Sequence, residues 1–355
     1  MVFKKNQLEG FEQVIFCNDP KVGLEAIISL HSLALGPATG GCRMWNYGST
    51  EEALTDALRL SQGMTYKASI AGLNWGGGKA VIRADPKAPK IPGMLERFGE
   101  FVNRLGGYYI TAKDVGVGAD DLRKIKSTTK HVLGIEGESG SSGDPSPATA
   151  WGVYHGMRAC VQHAFNARTL KGIKIALQGL GSVSYYLLEH LIADGAQVIA
   201  CDIDRQMVDR AVKKFGIETV SPHVIYDVPC DIFSPAALGG VISPQTIGRL
   251  KTKIVAGAAN NQLATSEEGV ELMRKGIVYA PDYAINAGGL INIYYEDQAN
   301  GGYSRSRAFE HVSTIGNIIS NILKRSEAEN LPTHFIADRI AEDRILKASL
   351  TSREG

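Results

Sequence analysis

Ile173-Lys174-Ile175-Ala176-Leu177-Gln178 runs straight into Gly179-Leu180-Gly181-Ser182-Val183-Ser184, and this junction decides the fold. The first six residues form a short apolar run, which reads as a buried strand. The glycines permit a tight turn, and a helix is predicted over about 183–194. In a G-x-G-x-x-G turn the first glycine makes the bend and the second lets backbone approach a pyrophosphate. The third allows close helix–strand packing, and here Ser184, small but not glycine, takes that place. A phosphate would sit at the helix N-terminus, drawn by unpaired N–H groups and the helix dipole. Asp202 follows Gly179 by 23 residues and ends the next apolar run, where an acid bonds an adenosine ribose hydroxyl. A carboxylate there repels a 2′-phosphate. Asp204 adds to it and Arg205 opposes it, so NAD is favoured over NADP. The alternative is a purely structural turn between strand and helix.

Working outward, Gln197–Asp202, Cys230–Phe233, Ile254–Ala259 and Ile277–Asp282 read as further buried strands, with helical stretches between several of them. Such alternation is the signature of a parallel sheet wound on both sides. Upstream, residues 137–147 (GESGSSGDPSP) are the most loop-like stretch, and a strongly helical pattern follows over 148–165. The domain boundary is placed here, in a linker suited to a hinge. The first third mixes strands (13–17, 26–32, 108–111) with helices. Ser49 and Glu52 form a capping box that opens a helix running to about Lys67, with Ala53, Leu54, Ala57, Leu58 and Met64 on one stripe. A second amphipathic helix spans about 93–105, and two more, about 304–329 and 335–348, end the chain. Trp75-Gly76-Gly77-Gly78-Lys79 reads as a glycine-dense turn.

Composition narrows the function classes. With 38 Lys+Arg against 37 Asp+Glu the net charge is +1, leaving no electrostatic footprint for nucleic acid or an anionic membrane. Hydrophobic residues at 44% exclude wholesale disorder, and no apolar run approaches the ~18 residues of a spanning helix. The start lacks the apolar core of a signal peptide. The five cysteines are scattered and never in CxxC spacing, which suits reduced thiols, mostly in the core, and a cytoplasmic location. The eight histidines show no paired spacing for zinc.

The glycine run before Lys79 lacks P-loop spacing, and Ala80 stands where a hydroxyl would serve magnesium, so an ATPase is rejected. Three glycines would instead let backbone and ligand approach closely while the lysine projects into a cleft. Two lysines, Lys67 and Lys79, sharing a cleft would weaken each other's hold on protons. One could then act as a general base while the other binds a carboxylate, with Asp114, at the end of a strand, as acid partner. Solvated surface lysines are the alternative.

These residues belong to longer stretches: 35–44 (LGPATGGCRM), Gly63–Lys67, Gly76–Lys79, Asp114–Gly116, Gly143–Pro147, Gly257–Asn261, Ala280–Tyr283 and Asn286–Gly289. Together and in this order they resemble the Glu/Leu/Phe/Val amino-acid dehydrogenase family. The resemblance implies an α/β fold of two domains with a cleft between. An N-terminal α/β substrate and oligomerisation domain would cover 1–145, completed by C-terminal helices at about 330–355. A Rossmann-type doubly wound NAD-binding domain would cover 146–329. The implied reaction is oxidative deamination of an amino acid to a 2-oxo acid and ammonia by a homo-oligomer. Lys67 would hold the α-carboxylate, Lys79 would activate water as general base, and Asp114 would exchange a proton with the amine. Gly40 would lie at the substrate backbone, and Asn260 and Asn261 beside the nicotinamide ribose and the substrate. Arg43, Ser146, Thr149, Gly179, Leu180, Gly181, Ser182, Val183, Asp202, Ile203, Ala236, Ala258 and Ala259 would complete the cofactor contacts.

Thr39, Met64, Ala112, Leu290 and Ile293 would line the side-chain pocket. Glutamate-specific relatives place a lysine at the position of Thr39 and a serine at that of Ile293, and an acidic side chain here would be buried unpaired. Leucine dehydrogenases usually carry leucine at the first of these positions and valine at Leu290 and Ile293. One methylene in such a pocket is worth only ~1–3 kcal/mol, so these departures leave the choice among apolar substrates open. The surrounding sequence favours leucine, valine and isoleucine, with phenylalanine or tryptophan second and a catalytically silent NAD-binding sensor third.

Overall fold

The computed structural model describes residues 8–297 and 301–351. The chain divides into two compact units. The first comprises Met1–Gly143, Ile293–Tyr303 and Ala341–Gly355, and the second Asp144–Asn292 and Ser304–Ile340. Relative to the sequence boundaries, 293–303 belongs to the first unit and 330–340 to the second.

The first unit is built on a five-stranded mixed sheet. Its strands are β1 (Gln13–Asp19), β2 (Leu24–Ser32), β3 (Ala38–Trp45), β4 (Gly76–Arg83) and β5 (Tyr109–Lys113), in the order β1-β2-β4-β3-β5. β1–β2 and β2–β4 pair antiparallel, whereas β3 pairs parallel with both β4 and β5. Alternation along the strands builds two cores. Ile28, Leu30, Cys42, Met44, Ala80 and Ile82 face α2 (Met94–Arg104) and α3 (Ala119–Lys126), burying Leu95, Phe98, Leu122 and Ile125. Ile27 and Val81 face the other way, against Ala53, Leu54, Ala57 and Leu58 of α1 (Thr50–Ile70). α1 begins as its capping box predicts, with Ser49 Oγ accepting from Glu52 N at 3.1 Å. The Glu52 carboxylate reaches back to Gly48 N–H instead of that of Ser49.

The predicted glycine turn at 75–78 is instead the start of β4, and none of its three glycines has a positive φ. They are there for space. A Cβ on Gly76 would lie 2.0 Å from Ser32 O, and one on Gly77 2.1 Å from Thr65 N of α1. On Gly78 it would meet the Tyr109 ring at 2.9 Å. Side-chain-free backbone lets α1 and the neighbouring strands close on this end of β4.

The second unit carries a six-stranded sheet of β6 (Lys174–Gln178), β7 (Gln197–Cys201), β8 (Glu218–Thr219), β9 (Ile232–Pro235), β10 (Ile254–Val255) and β11 (Val278–Tyr279). All neighbours pair parallel, in the order β11-β10-β9-β6-β7-β8. This is the doubly wound arrangement foreseen from the strand–helix alternation, and the order reverses between β6 and β9. α5 (Ser182–Ala193) follows the glycine turn, with α6 (Arg205–Phe215), α7 (Ser266–Arg274), α8 (Asp282–Ile285) and α9 (Gly288–Tyr294) after it along the chain, and α4 (Ser146–Phe165) packs on α5 and on α11 (Ile315–Glu329). The helix predicted over 304–329 is broken at Thr314 into α10 (Arg305–Ser313) and α11, and α12 spans Thr333–Thr351. All five cysteines are free; four are buried. No helix among the described residues is long and apolar enough to cross a membrane.

Candidate active site

In the first unit, α1 lies across β4 and β2. On the α1 side of the sheet Lys79 of β4 and Asp114, just beyond β5, form an ion pair, with only 8% and 15% of their side chains exposed. Asp114 Oδ2 also lies 3.6 Å from Arg43 Nε of β3, and Oδ1 accepts from Val115 N at 2.7 Å. Burial alone would raise the Asp114 carboxyl. The Lys79 ammonium, then the Arg43 guanidinium, outweigh it and hold the carboxyl below the usual carboxylate range. The acid partner that the sequence argument named for the lysines, Asp114, is thus the charged neighbour of Lys79.

Lys67 stands in the last turn of α1. Thr65, two residues before it, lies against Gly77, two residues before Lys79, so the backbone that carries Lys67 passes close to the backbone that carries Lys79. Met64 is half-buried one turn earlier, and its Cγ lies 3.3 Å from where a Gly40 side chain would begin. A Cβ at Gly40 would lie 1.8 Å from Gly78 O, and at Gly41 2.5 Å from Lys113 O, so β3 passes its neighbours too closely for any side chain. Thr39 is buried and its hydroxyl donates to Pro37 O at 3.3 Å; Ala112 is buried in β5. Leu290 and Ile293 sit three residues apart in α9 (Gly288–Tyr294) and so share its face. Lys113, beside Asp114, turns outward to pair with Glu136 at 2.9 Å. Arg43 donates to Asp56 at 3.0 Å and lines a cavity of about 790 Å³ with Trp45, Tyr47, Arg59 and Val115.

Two residues missed in the sequence hold parts of these surfaces in place. Fully buried Tyr109 donates to Gly40 O at 2.7 Å from beneath β3. In the second unit Asn286 donates to Asn260 Oδ1 at 2.8 Å and to Ala258 O at 3.1 Å. Asn286 belongs to the motif 286–289, which was the available signal; nothing local marks Tyr109.

Most of the remaining predicted residues of the second unit follow the carboxyl ends of its strands. Gly179 ends β6 with φ +102°, and a Cβ there would strike Ala237 at 2.9 Å. Gly181 opens α5 with no side-chain cap, and nothing lies within 4 Å of where its Cβ would stand. Ser182 and Val183 form the first turn of α5, whose N–H groups therefore face open space suited to a phosphate. Ser184 is buried in the helix-packing position, and its hydroxyl has no partner. Asp202, beyond β7, is fixed by two backbone donors, Leu180 N at 2.6 Å and Asp204 N at 2.8 Å. Its neighbour Ile203 is 93% exposed. Ala236 follows β9 and donates to Gln178 O at 2.8 Å. Ala258, Ala259, Asn260 and Asn261 follow β10, with Asn261 in the left-handed region at φ 51°. Ser146 and Thr149 occupy the first turn of α4, Thr149 donating to Pro145 O at 3.0 Å. An empty Gly181 flank, an uncapped helix and a tethered acid at the next strand end form a fitting cradle for a dinucleotide.

Comparison with known proteins agrees. Residues 11–131 match the model of the Glu/Leu/Phe/Val dehydrogenase dimerisation domain, and 202–352 match that of Glutamate/Leucine/Phenylalanine/Valine dehydrogenase. The chain is 50% identical to a leucine dehydrogenase of Geobacillus stearothermophilus over 97% of its length and 93% of the relative's. It is 44% identical to a phenylalanine dehydrogenase of Bacillus thermotolerans, over 96% of its length and 89% of that protein's. The crystal structure of L-tryptophan dehydrogenase from Nostoc punctiforme superposes with a TM-score of 0.86 at 40% identity, covering 98% of this chain and 99% of that one. With sequence, fold and catalytic-type residues in one order, the chain belongs to the Glu/Leu/Phe/Val dehydrogenase family and is an amino-acid dehydrogenase.

Proposed function

We propose that the protein catalyses the NAD-dependent, reversible oxidative deamination of branched-chain aliphatic L-amino acids (leucine, valine and isoleucine) as a cytoplasmic homo-oligomer. The observation that carries the chemistry is the buried Lys79–Asp114 pair at the glycine-lined ends of β3 and β4. Lys67 holds the substrate α-carboxylate and Gly40 lies against the substrate backbone. Asp114 takes a proton from the substrate ammonium and leaves a neutral amine. A bound dinucleotide would supply the acceptor for the Cα hydrogen and its electron pair. Lys79, its own proton released to solvent, removes a proton from water as the water oxygen bonds to the iminium carbon and the C=N electron pair moves onto nitrogen. Asp114 returns its proton to that nitrogen; the C–N bond then breaks as the C=O bond forms, the hydroxyl proton passes back to Asp114, and ammonia leaves the 2-oxo acid. Asn260 and Asn261 orient the nicotinamide ribose and the substrate.

Support for an aliphatic substrate comes from the pocket and from the relatives. The Thr39 hydroxyl is spent on Pro37 O, so the wall it contributes stays apolar, and the pocket set contains no cation for a distal carboxylate. Identity to leucine dehydrogenase, 50%, exceeds that to phenylalanine and tryptophan dehydrogenases, 44% and 43%. Support for NAD comes from the Asp202 carboxylate, held by two N–H groups at the place of the adenosine ribose, where it repels a 2′-phosphate. Support for self-association comes from the dimerisation-domain match over 11–131. Steady-state kcat/KM on L-leucine, L-phenylalanine and L-tryptophan, each with NAD and NADP, tests the reading. Leucine with NAD should lead. An aromatic preferred by tenfold or more would transfer the substrate reading to the phenylalanine or tryptophan type, and equal use of NADP would refute the cofactor reading.

A further inference from the structure

The chain leaves the first unit after Gly143 and re-enters it at Ile293. Within that unit one buried carboxylate, that of Glu296, ties these two points together. Its Oε1 accepts from Ser142 N at 2.7 Å and from Ser142 Oγ at 2.5 Å, and its Oε2 accepts from Gly134 N at 2.8 Å. Only 8% of the residue is exposed. Glu296 N–H donates in turn to Ile293 O at 2.9 Å, so the carboxylate and Ile293 belong to one turn of backbone. The Ile293 Cδ1 lies 3.7 Å from where a Cβ of Gly134 would stand, and Gly134 has a φ of +73°. One residue therefore ties the loop glycine and Ser142 through its side chain and the pocket isoleucine through its backbone N–H.

We propose that Glu296 is a positioning residue for the substrate side-chain pocket, setting where Ile293 stands against Gly134. This rests on the reading above, in which Ile293 is a pocket wall. The chemistry demands a carboxylate: three donors converge on it, and only a group that accepts at both oxygens satisfies them all. A glutamine has the same size but must turn an NH₂ toward the N–H of Gly134 or of Ser142, two donors face to face. One methylene of pocket space changes kcat/KM by about 10–200-fold, so a wall displaced by a fraction of that is read in substrate discrimination before it is read in turnover.

Glu296→Gln and Ser142→Ala are compared with the wild-type protein. The second variant removes only the hydroxyl bond and guards against a folding failure of the first. The ratio of kcat/KM for L-leucine to that for L-valine should fall at least threefold in Glu296→Gln and in the same direction in Ser142→Ala, with the change carried by KM. Amide exchange at Gly134 and Ser142 should quicken at least tenfold in Glu296→Gln. A purely structural role would lower Tm and leave both the ratio and KM where they were. An unchanged ratio in both variants, or unchanged exchange at the two amides, overturns the proposal. Absence of wild-type turnover on leucine is a separate failure, of the substrate reading. The same ratio is then taken between the amino acid the enzyme uses best and its homologue one methylene shorter.

Discussion

Replacing Asp114 by asparagine keeps the shape of the side chain and removes its charge, leaving Lys79 with an amide for a partner. Removing one member of a buried ion pair costs about 3–5 kcal/mol, because the other is left uncompensated. Arg43 keeps Asp56 at 3.0 Å, so the loss falls on Lys79, whose side chain is only 8% exposed. The lower end of that range, about 3 kcal/mol, is therefore expected. Urea denaturation at pH 7 of the wild type, Asp114→Asn, Lys79→Met and the double variant closes a cycle. In the Lys79→Met background the asparagine should cost under about 1 kcal/mol, a coupling of about 2 kcal/mol or more between the two sites. The Asp114 carboxyl is held below its ordinary value in the folded protein, so its contribution is complete above the unfolded-state pKa. It fades as pH falls through the folded one. Equal costs of Asp114→Asn with and without the lysine would refute the claim that the two groups act as a pair.

Gly77→Ala should prevent folding or cost more than about 3 kcal/mol, since its methyl would meet Thr65 N at 2.1 Å; a soluble variant with wild-type Tm would contradict the packing described. Acid should weaken the fold between about pH 6.5 and 4. Burial, with Arg158 and His190 nearby, pushes His155 down to about 4, and burial alone does the same to His334. The unfolded chain takes up these protons first, so stability is lost as pH falls through that window, by roughly 1 kcal/mol per histidine after solvent screening. Tm measured across it should drop in the wild type and flatten in His155→Gln/His334→Leu. Parallel curves would discount both histidines.

Much of the second unit is legible from its sequence because buried parallel strands are short, nearly continuous apolar runs, and IKIALQ and QVIAC are bounded by glycines or an aspartate. β8, only Glu218–Thr219 and exposed, carries no such signal. In the first unit β4 opens on three glycines and β3 carries two, Gly40 and Gly41, and glycines ordinarily mark turns. Here the absent side chains are an adaptation to the α1 backbone and to Tyr109, contacts made far along the chain. Lysines 67 and 79 and Asp114 can be named from their motifs, and Asp114 as their acid partner; its ion pair with Lys79 depends on the strand pairing that sets β5 beside β3 and β3 beside β4. Tyr109 and Glu296 are beyond sequence reasoning for the same cause: their partners lie 69 and 154–162 residues away. Asn286, which caps the short helix Asp282–Ile285, reaches Asn260 across 26 residues.

The central claim is that the amine of residue 79 handles the proton of the attacking water. Its most direct test is Lys79→Ala, assayed for leucine-dependent NADH formation and, by fluorescence titration, for NADH binding. Turnover should fall by about 10²–10⁴ or more, the usual contribution of a positioned general base, while NADH affinity stays within about threefold. A variant that binds NADH normally and retains near-wild-type kcat would contradict the account.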